Sequence, residues 1–388
     1  MFASRLENVK PSTMAVINDL ANQLIAEGKP VLKFAIGAPD FKPAKHVKEA
    51  AKEAIDKGES SYTAAGGIPE LKQAICDKFK RENSIEYSDM EVMASAGAKQ
   101  VLYNICQTIL NPKDEVIVPQ PTWETHSVQV QLAFGVPVFA KLPTDLKLRA
   151  ELIEPLITEK TKMIIMNSPS NPTGAVMDPA EIEKVANLAV KHDLYLVSDE
   201  VYEHLLFDGA KHLSPASLSP EIKAHTLTVN SVSKTYALPG WRLGYVGGPA
   251  NLIKAVTKLQ GLSTFNPSVP AQFAAIAALN GPQDLVREMR EEFDRRRMVA
   301  VKAWNSIPDI SCETPTGAFY AFPNVSAYYK GKIKNSSDLA KYLLKEVHVA
   351  LIPGSAFGAD DYLRFSYASS MEDIREGMQR IKKALIAL

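Results

Sequence analysis

Along the middle of the chain, apolar residues gather in short continuous runs: Glu115-Val116-Ile117-Val118, Met163-Ile164-Ile165-Met166, Leu194-Tyr195-Leu196-Val197, Leu227-Thr228-Val229 and Leu243-Gly244-Tyr245-Val246-Gly247. Runs this short and this continuous are what strands buried on both faces show. Helical patterns lie between them, so the expected architecture is an α/β fold with a mostly parallel central sheet covered by helices. Val101 to Leu110 reads as an apolar helix, and Gln283 to about Trp304 as a long amphipathic one. The latter carries Glu291-Glu292 ahead of Arg295-Arg296-Arg297 at helical spacing, which predicts a solvated face with internal ion pairs rather than a nucleic-acid patch. No internal repeat, low-complexity segment or Gly/Ser linker interrupts the pattern, and the 25 prolines are spread as turn punctuation.

Length adds that the chain is long enough for two or more domains. At 388 residues it exceeds the roughly 250 to 300 at which single cores stop growing. Lys+Arg and Asp+Glu both number 44, so no net charge points to nucleic acid or a membrane surface, and a small molecule is the default ligand. Cys76, Cys106 and Cys312 are too few and too scattered for a disulfide framework or a Cys-x-x-Cys metal site, which fits a reducing, cytoplasmic setting. No apolar run is long enough for a membrane span, and the start lacks the pattern of a secretory signal, so a soluble, unprocessed chain is expected.

The chemistry concentrates in Ser231-Val232-Ser233-Lys234-Thr235-Tyr236-Ala237-Leu238-Pro239-Gly240-Trp241-Arg242-Leu243-Gly244-Tyr245. The alternating run Thr226-Leu227-Thr228-Val229-Asn230 ahead of it predicts a strand, so Lys234 stands just past a strand's C-terminal end, where open α/β sheets bind ligands. An unprotonated lysine condenses with a carbonyl to a Schiff base, while hydroxyls and a guanidinium fork hold a phosphate dianion. Alone, one lysine near serines would pass for a surface charge.

This run resembles the cofactor-lysine motif of the class I aminotransferases, pyridoxal-phosphate enzymes of fold type I, written S-x-S-K-x-x-x-x-x-G-W-R-x-G-Y. The resemblance extends from Lys10-Pro11-Ser12 to Arg364-Phe365-Ser366-Tyr367. Pro239 departs from the family's usual threonine. The resemblance implies a small α+β domain built from both chain ends, with 1–45 as N-terminal arm and part of that domain, 46–284 as the large cofactor-binding domain and 285–388 as the C-terminal small domain.

It also implies a pyridoxal 5'-phosphate site. Lys234 is then the Schiff-base lysine and proton shuttle. Gly97, Ala98 and Lys99 form the phosphate-cup turn at a helix start, a position that suits anions in any case. Ser231, Ser233 and Arg242 complete the phosphate contacts, joined by Tyr62 from the neighbouring subunit of a homodimer. Asp199 faces the ring nitrogen, Tyr202 and Asn171 serve the ring 3'-oxygen, and Trp123 stacks on the ring. Read bare, Asp199 could be a helix N-cap, Asn171 a turn residue and Trp123 a core plug.

For substrate, Arg364 matches the bidentate carboxylate arginine, though on its own it could pair with Asp360 or Asp361. Gly37 matches a backbone approach beside it, with Ala38 replacing the family's usual glutamate. Ser12 and Lys99 match residues that bind the distal carboxylate in the bacterial aspartate aminotransferase subgroup. Met14 stands where that subgroup usually has threonine, and Gly261 offers no equivalent of the arginine used elsewhere in the family. The implied activity is a ping-pong aminotransferase of aspartate and glutamate. Aromatic, alanine, kynurenine or prephenate transamination, a β-lyase, a cyclopropane-forming synthase and a non-catalytic regulator remain as alternatives, since one set of cofactor ligands serves all the reactions.

Overall fold

The computed structural model describes residues 3 to 6, 9 and 12 to 388. Its central sheet has seven strands, ordered Val92–Ser95, Gly244–Gly247, Thr226–Ser231, Tyr195–Asp199, Thr161–Asn167, Glu115–Gln120 and Val136–Lys141. Gly244–Gly247 runs antiparallel to both neighbours, and the others share one direction. Strand alternation explains the continuous apolar runs. Val116, Val118, Met163, Ile165 and Val197 pack against Val101, Leu102 and Ile105 of the helix Ala98–Ile109. Ile117, Ile164, Met166 and Leu196 pack against Ile182, Val185, Ala186 and Ala189 of Pro179–Lys191 on the opposite face. Both faces are therefore dry along the middle of these strands, and polar residues such as Asn167 and Asp199 appear at their ends.

Two strands of this sheet have no clear signal in the chain. Val136–Lys141 lies at the sheet edge, mostly open to solvent, and contains Pro137, whose missing N–H an edge position tolerates. Val92–Ser95 is four residues long. A second core joins sequence-distant segments: Ile17, Ala21 and Phe34 near the start pack with Phe293, Trp304, Phe319, Leu343 and Phe365. Leu32–Lys33 pairs in parallel with Val349–Ala350, and Phe34 stacks on Phe365 at 4.4 Å between centroids.

The long helix spans Asp284–Trp304, as its periodicity predicts. Its basic triplet corrects the expectation of a solvated face. Arg295 is exposed and pairs with Glu292, but Arg296 and Arg297 are buried. Arg297 forks onto Asp208 while also meeting Asp294 and the Pro315 carbonyl, and Arg296 bridges Glu292 and Asp40. Two guanidinium groups can be buried here because each meets carboxylates from outside the helix, which repay the desolvation that a lone charge could not.

Candidate active site

Parallel strands deliver their C-terminal ends to one edge, and that edge carries the candidate residues. Asp199 closes the strand Tyr195–Asp199, and Asn167 closes Thr161–Asn167. Lys234 sits in the single helical turn Val232–Thr235 directly after Thr226–Ser231, and Trp123 precedes the helix Glu124–Leu132. Arg242 arrives at the same edge because the strand after it, Gly244–Gly247, runs the opposite way. Together they open onto a cavity of about 440 Å³ lined also by Gly37, Ala98, Lys99, Asn171, Tyr202, Ser231, Ser233 and Arg364.

One wall is a turn built for close approach. Gly97 has φ +91°, and a Cβ there would stand 2.4 Å from an Arg242 guanidinium nitrogen. Behind it, a Cβ on Gly244 would meet the Ala98 backbone nitrogen at 2.2 Å, a group that cannot move without unseating the start of Ala98–Ile109. Gly244→Ala is therefore expected to lower the melting temperature, by a cost at the upper end of the usual 0.5 to 3 kcal/mol for single substitutions, roughly 3 kcal/mol. Thermal unfolding of the two proteins checks it. Ser231 Oγ donates to the Leu243 carbonyl at 3.0 Å and accepts from the Ser233 backbone N–H, which holds the serine turn in place.

Lys234 and Arg364 face each other's charge across the cavity. Burial, with the Arg364 and Arg242 cations, lowers the Lys234 ammonium to about 8. Its Nζ donates to the Gly37 carbonyl. Arg364 is 2% exposed; Nη1 donates to Asn171 Oδ1 at 3.0 Å and Nη2 to the Ala35 carbonyl at 2.7 Å. Its Nε has no partner, and burial lowers its pKa. The alternative pairing with Asp360 or Asp361 is not formed; Asp360 accepts from Ser336 instead.

Asp199 does not cap a helix, because a turn and not a helix follows it. It is held by a relay that its local sequence does not reveal: Thr122 Oγ1 to His126 Nδ1 at 3.0 Å, and His126 Nε2 to Asp199 Oδ2 at 3.0 Å, all three residues buried. A carboxylate accepts, so Nε2 carries a proton toward Asp199, and in the neutral imidazole Nδ1 accepts from the threonine hydroxyl. Oδ1 is buried with no hydrogen-bond partner among the described residues. Tyr202 shares a 2.7 Å hydrogen bond with Tyr320, whose ring lies under Arg364 at 4.6 Å. Burial raises both phenols, keeping them protonated.

Tyr320, His126, Asn167 and Asn18 complete the site and were not singled out from the chain. His126 carried the one readable signal, since its place three residues after Trp123 puts it on that side of the helix start. Ser12, by contrast, lies outside the cavity lining and donates to Glu124. Lys10 and Pro11 lie outside the described residues. Tyr62 is 89% exposed, edge-on to Phe265 at 5.5 Å and away from the cavity.

A profile of the family described as "Aminotransferase class I and II" matches residues 29–381. The chain belongs to this aminotransferase family. It is 43% identical to the aspartate aminotransferase of Rhizobium meliloti over 98% of this chain and 95% of that one. It is also 43% identical to the aspartate/prephenate aminotransferase of Cereibacter sphaeroides, over 97% of this chain and 96% of the relative. The crystal structure of Thermus thermophilus aspartate aminotransferase with maleate superposes with a TM-score of 0.94 at 37% identity, covering 99% of each chain. The mixed, mostly parallel sheet covered by helices is accordingly the fold type I architecture of aminotransferases. Among the described residues, no helix is long and apolar enough to cross a membrane.

Proposed function

We propose that this aminotransferase uses pyridoxal 5'-phosphate and takes acidic amino acids, aspartate and glutamate, as preferred donors. The observation that carries the reading is Arg364: a guanidinium buried to 2% exposure, without a carboxylate partner among the described residues, facing a cavity that also holds an amine lowered to about 8. A cation buried in this way calls for an anionic ligand. The unpartnered Asp199 Oδ1 and the glycine cradle under Arg242 suit the cofactor's ring nitrogen and its phosphate respectively. When bound, the cofactor supplies an aldehyde for Lys234 and a cationic ring as electron sink.

The chain's own residues then divide the work. Gly97, Ala98 and Lys99 at the helix start, with Ser231, Ser233 and Arg242, hold the phosphate dianion. Asp199, steadied by His126, keeps the ring nitrogen protonated, because a carboxylate beside it favours the cation. Tyr202 and Asn171 orient the ring through its 3'-oxygen, and Trp123 covers one face. Arg364 and the backbone at Gly37 fix the substrate carboxylate, and donor and acceptor use that fork in turn. Lys234 Nζ, lowered to about 8 so that its neutral form is accessible near working pH, takes the α-proton. The chain divides in this reading into 1–45, 46–284 and 285–388. Tyr62, exposed and far from its own cavity, serves the site of a second copy in a homodimer.

Lys99 carries the acidic preference: it lines the cavity with its ammonium 4.9 Å from the Trp123 ring centroid. Relatives named as aspartate aminotransferases and the dicarboxylate maleate in the Thermus thermophilus structure support the same choice. Lys99→Ala is expected to lower kcat/KM for aspartate more than for phenylalanine, by about 1 to 3 kcal/mol, the scale of a charge-assisted hydrogen bond. Steady-state kinetics with both donors measures it. Equal losses would make Lys99 a support of the phosphate turn and remove the basis for acidic preference.

A further inference from the structure

Tyr320 is fully buried and holds none of the roles proposed above, yet it touches both the cofactor side and the substrate side of the cavity. It opens the strand Tyr320–Ala321, which pairs antiparallel with Leu363–Ser366 so that Tyr320 stands opposite Ser366. Arg364 is then its diagonal neighbour, two residues along on the same face, and the guanidinium carbon lies over the phenol ring at 4.6 Å from the centroid. The hydroxyl at the end of that ring meets the Tyr202 hydroxyl at 2.7 Å, in the turn that follows the strand Tyr195–Asp199. Gly37 makes room for it. A Cβ there would stand 2.7 Å from the Tyr320 oxygen, and the Gly37 carbonyl accepts from Lys234 Nζ.

Resting on the proposed role of Tyr202 at the ring 3'-oxygen, we infer that Tyr320 is a positioning residue for the cofactor, donating its phenolic proton to Tyr202 so that Tyr202 can direct its own proton onto that oxygen. A phenol has a single proton to give. Once Tyr202 donates it to the cofactor, the Tyr202 oxygen can only accept, and the Tyr320 hydroxyl is the donor in contact with it. In a buried chain of hydroxyls each hydrogen bond polarises the next, so Tyr202 is a stronger donor with Tyr320 behind it than alone. A stronger donor stabilises negative charge on the 3'-oxygen. That in turn favours release of the proton which the oxygen shares with the nitrogen joining Lys234 to the cofactor. Tyr320 therefore lowers the pH at which the bound cofactor loses this proton, and it acts through Tyr202.

The two contacts of Tyr320 use different parts of the side chain, which makes them separable. Arg364 needs only the ring, and Tyr202 needs only the hydroxyl. Tyr320→Phe keeps the first and deletes the second.

Absorbance titration of the cofactor-loaded enzyme with pH reads the inferred effect as the midpoint of the change in its visible band. In Tyr320→Phe the midpoint should rise by about half a unit to one unit, the scale of one hydrogen bond. Tyr202→Phe should raise it further, and the double substitution should match Tyr202→Phe alone, because the two residues act in series. Maleate affinity of Tyr320→Phe, measured at a pH below all the midpoints, should equal that of the wild type, since the ring under Arg364 is kept. An unmoved or lowered midpoint in Tyr320→Phe beside a raised one in Tyr202→Phe would overturn the inference and leave the reading of Tyr202 standing. If neither substitution moves the midpoint, that reading fails and the inference with it. A further rise in the double substitution would also overturn it, because Tyr320 would then act on the cofactor directly, and so would weakened maleate binding in Tyr320→Phe, because the hydroxyl would then serve the Arg364 side.

Discussion

Lys234→Ala is expected to abolish transamination, with a loss of at least about 10⁴-fold. A positioned proton shuttle alone contributes about 10²- to 10⁴-fold, and the same substitution deletes the covalent anchor. Borohydride reduction of the wild-type enzyme should fix the cofactor on Lys234 and discharge its visible colour; peptide mapping that found the label on another lysine would sink the assignment. The environment of the amine adds a pH dependence. Burial and the Arg364 and Arg242 cations lower the ammonium to about 8, and only the neutral form attacks an aldehyde. With an ordinary lysine about one amine in 3,000 is neutral at pH 7, whereas a value of about 8 leaves about one in ten. The rate at which the cofactor-free protein captures pyridoxal phosphate should therefore rise with pH and level off above about 8. Stopped-flow absorbance across pH 6 to 10 reads it directly, and a rate still climbing tenfold per unit at pH 9.5 would mean the amine is not held down.

Asp199→Ala should separate holding the cofactor from using it. The residues proposed to hold the phosphate, Ser231, Ser233, Arg242 and the Gly97 turn, are untouched, so substantial cofactor should remain bound. Turnover should fall by about 10²- to 10³-fold, the usual cost of losing one preorganised electrostatic group. Asp199→Asn, which keeps the shape and the contact with His126 while removing the charge, should lose a similar amount. Near-normal activity in Asp199→Asn would show that the buried carboxylate serves only to hold His126 and Thr122. The two substitutions also answer a structural question, because His126 loses its acceptor in the first and keeps one in the second.

Arg296 and Arg297 mark where a local reading stops. The periodicity of Asp284–Trp304 is written in consecutive residues, so the helix is legible to within a residue of its start. Whether a charged position on it faces water depends on what arrives opposite. Asp208 and Asp40 come from 89 and 256 residues away, and nothing in the spacing of the triplet announces them. The same division runs through the site. Ser231, Ser233 and Lys234 sit together because one backbone turn joins them, and Asp199 ends a strand whose apolar run predicts its own terminus. The His126 contact to Asp199 spans 73 residues, the Tyr202 contact to Tyr320 spans 118, and the Ser12 contact to Glu124 spans 112.

By itself, then, the chain determined the buried strands, the helices between them and the edge at which their C-terminal ends gather, because dry faces demand apolar residues at periods the sequence displays. It also carried the lysine, arginine and glycine motifs whose resemblance to the aminotransferases the family match bears out. Tertiary structure alone decided which charges are buried and what meets them: Arg296 and Arg297 paired with distant carboxylates, Arg364 held by Asn171 and the Ala35 carbonyl without a carboxylate among the described residues, Asp199 steadied by His126, and Ser12 turned onto Glu124 rather than into the cavity. It also decided the edge strand Val136–Lys141, whose pattern Pro137 and solvent erase. The physical reason is common to all of these. Burial of an apolar face is a property of a segment, whereas the cost of burying a charge depends on partners brought from elsewhere in the chain.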